Sequence, residues 1–243
     1  MKLSYNAVWS DVIAMLRPNA AFLIAIAGAF LFLPALLVGY FLPPPEPDPV
    51  RPLAGLFEYM ADNWPWHLLA NVANMAGAIA MLLLLFDRGG RTVGSAIGAA
   101  FLILPFYFLA SVLSMLIIGI GLVFLLVPGL YLFGRLAIIG PVVVAEGLRN
   151  PIDAVRRSFE ITRANGWRVL GLVVLIAVAG VIVSYALTAV LGAVFYLLGG
   201  QDLGRLLVLI LNSLAGAALS TVLLVLFAAI YRALAPAAPN SGT

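Results

Sequence analysis

The chain has 243 residues, of which 64% are hydrophobic and only 9% charged, against roughly 25% charged in soluble domains. Such a composition excludes an ordinary water-soluble domain and describes an integral membrane protein. The absence of cysteine excludes disulfides and thiolate metal sites. A net charge of +3 scattered over helix ends, with no basic stripe interleaved with aromatics, argues against nucleic-acid binding.

Met1 to Arg17 carries a short amphipathic pattern, with Val8, Val12, Met15 and Leu16 on one side. Pro18 then precedes a first full span, Asn19 to Leu42, which Pro34 is expected to kink. A cleaved leader would place its apolar run nearer the start, so retention of this segment is expected. The proline-rich stretch Pro43 to Pro52 admits no helix and reads as an extended polar loop. Leu53 to Asn63 is expected to form a short surface helix. Trp64-Pro65-Trp66-His67 marks an interface, with two tryptophans at headgroup height. His67 is the only histidine; alone it makes no zinc site, and it reads as a belt residue rather than a proton-active group.

The second span is Leu68 to Phe86. Asn71, Asn74 and Gly77 recur three apart as a polar and small stripe. Two readings stand for it: hydrogen bonding between helices, or the wall of a polar cavity in which Asn71 and Asn74 contact a lipid or solute. Asp87 to Arg91 is a turn, and Thr92 caps a short helix through Ala99. Phe101 to Ala145 is then 45 residues without a break, where about 20 suffice for one crossing, so a hairpin is required. Its turn falls at Gly119–Gly121 or at Leu126–Gly129. A third span of Leu102–Leu122 and a fourth of Val127–Ala145 place Pro128 in a first helical turn, where proline is tolerated.

Arg135 then lies about 10 Å inside the membrane at 1.5 Å per residue. A charge at the bilayer centre costs about 2.5–3.5 kcal/mol. Either this cation recognises an anion such as a lipid phosphate, or amides, carbonyls and headgroups satisfy it structurally.

Ala145 to Val169 is the longest charge-bearing segment, and its centre, Pro151 to Thr162, reads as a helix lying flat on the cytoplasmic surface, an elbow between two hairpins. Asn150 caps it and Pro151 suits its first position. Ile152, Val155 and Phe159 form the expected apolar face. Arg156 with Glu160, and Asp153 with Arg157, are expected to pair at four-residue spacing. Asn165-Gly166 supplies a stop. Arg156, Arg157, Arg163, Trp167 and Arg168 make up the interfacial elbow, with an aromatic and a cation at the level where the next helix meets lipid.

The string Pro128-Gly129, Tyr131, Arg135, Pro141, Glu146-Gly147, Ala154, Arg157-Ser158, Thr162 and Trp167-Arg168 resembles the membrane domain associated with some bacterial glycerophosphoryl diester phosphodiesterases, a pattern that also occurs in stand-alone bacterial multi-pass proteins. The resemblance covers about 45 residues. It implies a six-helix membrane bundle. It also implies that phosphodiesterase activity resides in a separate soluble domain, absent from these residues.

Beyond the elbow a fifth span, Val169–Leu191, carries Gly180, Ser184, Thr188 and Gly192 at intervals of four, a small-residue face for close helix approach. The sixth span, Leu203–Leu234, carries Asn212, Gly216 and Ser220, and the two faces are expected to pack together. Gly199-Gly200-Gln201-Asp202 is the turn between them. The expected fold is therefore all-α and polytopic, with six transmembrane helices and short amphipathic interfacial helices. Residues 1–234 form one membrane-embedded domain, and 235–243 a disordered tail. Asn6-Ala7-Val8, Ser95-Ala96-Ile97 and Asp153-Ala154-Val155 hint at three copies of elbow plus hairpin.

Six spans put both termini on one side. With that side inward, ten cations lie inside and two, Arg51 and Arg205, outside, which orients the chain by the positive-inside rule with cytoplasmic termini in a bacterial inner membrane. No nucleophile–base pair, carboxylate–histidine metal cluster or phosphate-cradling loop is present, so neither an enzyme nor a cofactor is expected. The expected function is a non-catalytic membrane module binding anionic lipid headgroups, a partner membrane protein or a second copy of itself. The alternative is a transporter of a small solute or lipid.

Overall fold

The computed structural model describes residues 2–45, 54–87 and 89–235. The greater part of the proline-rich loop, Arg88 and the tail from Pro236 fall outside them. The described residues are helical throughout, with no strand among them: α1 (Tyr5–Ala27), a π-helical turn (Gly28–Phe32), α2 (Leu33–Phe41), α3 (Ala54–Phe86), α4 (Val93–Phe124), α5 (Leu126–Leu136), α6 (Ile139–Glu146), α7 (Pro151–Ile161) and α8 (Gly166–Leu234). Five continuous helical stretches are long and apolar enough to cross a membrane: Tyr5–Phe41, Ala54–Phe86, Val93–Phe124, Leu126–Glu146 and Gly166–Leu234. Their outward faces are oil-like: Val123 is 86% exposed, Leu102 76% and Ile24 72%. Exposure on that scale suits lipid, where a leucine loses nothing by facing hydrocarbon.

Three expected surface helices are not separate. Residues preceding Pro18 run straight into the first span, those before Pro65 into the second, and those after Thr92 into the third. A proline within such a helix removes one backbone donor, and neighbouring helices and local adjustments re-satisfy the freed groups. Pro34 shows the adjustment directly. The turn before it widens to π geometry, and the Leu33 N–H reaches back to the Gly28 carbonyl. Thr92 does cap α4, its Oγ1 accepting from the Ser95 N–H at 3.2 Å. The third-to-fourth turn is a single extended residue, Leu125 (φ −158°, ψ 137°). It falls between the two candidate turns and inside the gap left by the expected spans. Gly121 and Gly129 make so tight a hairpin possible: a Cβ on Gly121 would lie 3.0 Å from the Gly129 Cα.

The last helix holds 69 residues, about 100 Å at 1.5 Å per residue and more than three bilayer cores. Gly200 interrupts it, with φ 69° and ψ −170°, a conformation essentially confined to glycine. The chain folds back there. Thr188 donates to Asn212 Oδ1 at 2.7 Å, and Gly180 faces Leu219 and Gly192 faces Val208, pairs lying nearly symmetrically either side of Gly200. The expected packing of two small-residue faces is thus met by one of them. On the second arm only Asn212 turns to its partner. Gly216 has open space beyond its Cα, and Gly216 and Ser220 face α3 and α4 across a cavity.

The core joins α1, α3, α6 and both arms of α8 through Val8, Ile79, Leu82, Val142, Val173 and Leu226. Small residues let backbones approach: a Cβ on Gly77 would stand 2.5 Å from the Phe30 Cβ, and one on Gly134 would stand 2.4 Å from the Gly166 carbonyl oxygen. At one face the helix ends are tied together. Arg232 pairs with Asp11 at 3.5 Å, Arg168 Nη1 donates to the Leu3 carbonyl at 2.9 Å, and the Phe86 and Tyr231 rings meet edge-on at 5.6 Å.

Candidate functional site

The elbow is built from α7 and its joints. Gly147, at φ 63°, closes α6 in the left-handed conformation. Asn150 Oδ1 then accepts from the Ile152 N–H at 3.0 Å and starts α7, as the sequence led one to expect. The face that docks is only in part the expected one. Val155 is buried and Phe159 half-buried, but Ile152 points outward and is 65% exposed. The docked stripe is Ala154, Ser158 and Thr162, all essentially inaccessible. The reason is chemical. α5 ends at Leu136, leaving its last carbonyls without helical donors. The Ser158 hydroxyl donates to the Arg135 carbonyl at 2.8 Å. The Thr162 hydroxyl, 3.0 Å from that oxygen and 2.6 Å from the Ser158 carbonyl, shares its hydrogen between them. An aliphatic face would leave that carbonyl bare.

The Arg135 side chain closes the same joint. Its Nε donates to Thr162 Oγ1 at 3.0 Å and its Nη1 to the Tyr131 hydroxyl at 2.8 Å, and Nη2 donates to the Phe159 carbonyl. The guanidinium also lies 5.5 Å from the Tyr131 ring centre and 5.0 Å from that of Phe159, within cation–π range. It therefore caps the C-terminal end of α7, where a helix favours positive charge. Trp167 stacks on Tyr131 with ring centres 5.3 Å apart, and Gly166 passes so close that a Cβ would meet the Arg135 Cδ at 2.6 Å.

Arg157 does not pair with Asp153. Its Nε donates to both Glu146 oxygens at 3.0 and 2.9 Å, and its Nη1 reaches Glu160 at 3.4 Å. Tyr231, at the far end of α8, donates to Glu146 Oε1 at 3.1 Å. The Glu146 carboxylate thus ties α6, α7 and α8, and its hydrogen bond holds the Arg157 guanidinium protonated above arginine's ordinary range. Arg156 pairs with Glu160 at 3.3 Å as expected and stays 79% exposed. Lys2, Arg17, Arg91, Arg149, Arg163, Trp167 and Arg168 are exposed as well. Sequence reasoning missed the Glu146–Tyr231 link and Leu3, whose N–H donates to Asn165 Oδ1 at 2.8 Å. A lone glutamate closing an apolar run was the available signal.

A second group of polar residues lies between the long helices. Asn71 and Asn74 of α3, Tyr107 and Ser111 of α4, and Asn212, Ser213 and Ser220 of the second arm of α8 line one cavity of about 440 Å³. Arg135 is not among its walls, so the three expected contact residues separate into two places. His67 belongs to neither: its ring stands 3.2 Å from the Tyr59 hydroxyl, which donates to the Leu42 carbonyl at 2.6 Å. Trp64 and Trp66 beside it are both 58% exposed. Among the described residues no three His, Asp or Glu side chains converge on a metal position.

Comparison with known proteins adds one relation. A family model described as a domain of unknown function, DUF7847, matches residues 53–235, from the start of α3 to the end of α8. No solved structure matches the chain.

Proposed function

The chain belongs to the DUF7847 family, and on that premise we propose that it is a non-catalytic multi-pass protein of a bacterial inner membrane whose basic elbow holds anionic lipid headgroups. Division of the last helix at Gly200 makes six crossings, with both termini in the cytoplasm beside the elbow. The observation that carries this reading is the division of labour among the elbow's arginines. Arg135 and Arg157 are spent on internal partners, which makes α7 rigid. Arg149 and Arg163 project beside that rigid base, exposed; Arg156 is exposed while pairing with Glu160, and Arg168 is exposed while donating to the Leu3 carbonyl from the start of α8. Each cation near an anionic surface contributes about 1 kcal/mol. The resemblance to the membrane domain of glycerophosphoryl diester phosphodiesterases suits the same role, since nearly every residue that carries it belongs to the elbow and its joints. On this reading the three elbow-plus-hairpin copies differ in that the first two elbows have fused with their spans, and a second copy or another membrane protein docks beside the lipids.

The test is lipid retention through purification in mixed phosphatidylcholine and phosphatidylglycerol. Enrichment of phosphatidylglycerol, lowered by Arg156→Ala with Arg163→Ala, is expected. Equal retention of both lipids would overturn the proposal. The polar cavity favours a second reading, passage of a small solute or lipid, and sealed liposomes that take up nothing would remove it.

A further inference from the structure

The cavity between α2, α3, α4 and the second arm of α8 has no counterpart in the elbow's chemistry. Among the described residues neither Asn71 nor Asn74 has a hydrogen-bond partner for its side chain, and Asn212 uses only its oxygen, accepting from Thr188. An amide left unpaired in hydrocarbon costs several kcal/mol. Three amides converge here on the same space with Ser111 and Ser220, each amide sitting well inside a long apolar helix. They both donate and accept. No acid, lysine, arginine or histidine lines the space, so a charged group would enter without a counter-charge. Leu31 and Leu224 supply apolar walls beside the polar ones, and the open space beyond Gly216 admits a group against bare backbone.

We propose that this cavity binds an uncharged polyhydroxyl group of roughly monosaccharide size, using Asn71, Asn74, Ser111, Asn212 and Ser220 as hydrogen-bonding partners. A hexose presents alternating donors and acceptors on its rim and C–H faces to the leucines, and it carries no charge to be stranded. The group arrives either as the headgroup of a neutral glycolipid or as a free sugar. The inference rests on the membrane reading of the helices and is independent of the elbow's affinity for anionic lipid.

The experiment places the intact protein in phosphatidylcholine nanodiscs with and without monohexosyl diacylglycerol, and separately adds free methyl hexoside. Native mass spectrometry counts bound lipid, and tryptophan fluorescence follows thermal unfolding. One of the two probes is expected to bind and raise the unfolding temperature: the glycolipid if the source is a headgroup, the methyl hexoside if it is a solute. Asn71→Leu with Asn74→Leu is expected to weaken binding at least about tenfold while remaining folded, because it removes unpaired amides. Should that variant not fold, Ser111→Ala with Ser220→Ala gives the same comparison at about fivefold. Phosphatidylglycerol retention, read in parallel through the Arg156→Ala and Arg163→Ala pair, keeps failure here distinct from failure at the elbow. The proposal is overturned if neither probe binds, if binding ignores both sets of variants, or if Asn71→Cys crosslinks between copies, which would assign the groove to a second chain.

Discussion

Replacing Arg135 with leucine separates a structural cation from a ligand-binding one. The side chain makes three hydrogen bonds as a charged donor and two cation–π contacts. Charged hydrogen bonds contribute about 1.5–3 kcal/mol each. The group is half-buried, so the low end applies, about 4–5 kcal/mol for the three. The ring contacts add about 1–2 kcal/mol. Against this, leucine escapes the cost of holding a cation in apolar surroundings, about 2.5–3.5 kcal/mol. The net loss is about 2–4 kcal/mol, which for a chain of this size lowers Tm by about 5–15 °C. Thermal unfolding in detergent, followed by tryptophan fluorescence, measures it, since Trp167 stacks on Tyr131 beside the guanidinium. Arg135→Lys keeps the charge and loses the fork, and should fall between. The amount of anionic lipid bound per folded molecule should not change. An unaltered or higher Tm for Arg135→Leu, or a loss of lipid at unchanged Tm, would refute the reasoning.

Gly134→Ala places a methyl 2.4 Å from a backbone oxygen that cannot rotate away, and is expected to cost about 1–3 kcal/mol in unfolding experiments. Gly200→Ala forces an L-residue into a conformation reserved for glycine, and a loss of about 1–3 kcal/mol is expected by the same measurement. Glu146→Gln weakens the Arg157 and Tyr231 links, and because the ion pair is partly exposed only about 1 kcal/mol should be lost. The Arg157 share has a defined pH sense. Its pKa is raised in the folded state, so its contribution is complete at neutral pH and is lost only as pH climbs through that raised value; unfolding between pH 7 and 9 should show no slope from this residue. Arg156→Ala and Arg163→Ala should each weaken binding to phosphatidylglycerol vesicles about fivefold, with little change in Tm.

The sequence disclosed most where the physics is local. Asn150, Pro151 and Thr92 carried their capping geometry on their faces, and the need for a hairpin within Phe101–Ala145 followed from length, though its turn at Leu125 lay between the two candidates. Prolines misled. Pro18 and Pro65 looked like boundaries because in water a proline ends a helix, whereas here both helices run on through their prolines. The docked face of α7 was read in part: Val155 and Phe159 pack inward as expected, Ile152 does not. Counting apolar side chains selected Ile152, but the docking partner is a carbonyl at a helix end, and only hydroxyls satisfy it. Arg157 was assigned to Asp153 by spacing, and Glu146, 11 residues away in sequence, offers two oxygens at once. The cavity was half legible: Asn71 and Asn74 were marked as a polar stripe, but only the fold places Asn212 and Ser220 opposite them.

The claim on which the rest depends is that the elbow lies on the cytoplasmic side of a membrane that the long helices cross. Because the chain has no cysteine, single cysteines report cleanly. Ala164→Cys sits on the exposed turn after α7 and Asp62→Cys on the exposed outer part of α3. In intact bacterial cells treated with a membrane-impermeant maleimide, Asp62→Cys should be labelled at once and Ala164→Cys only after the inner membrane is opened. Labelling of Ala164→Cys from outside, or of both residues alike, would contradict that claim.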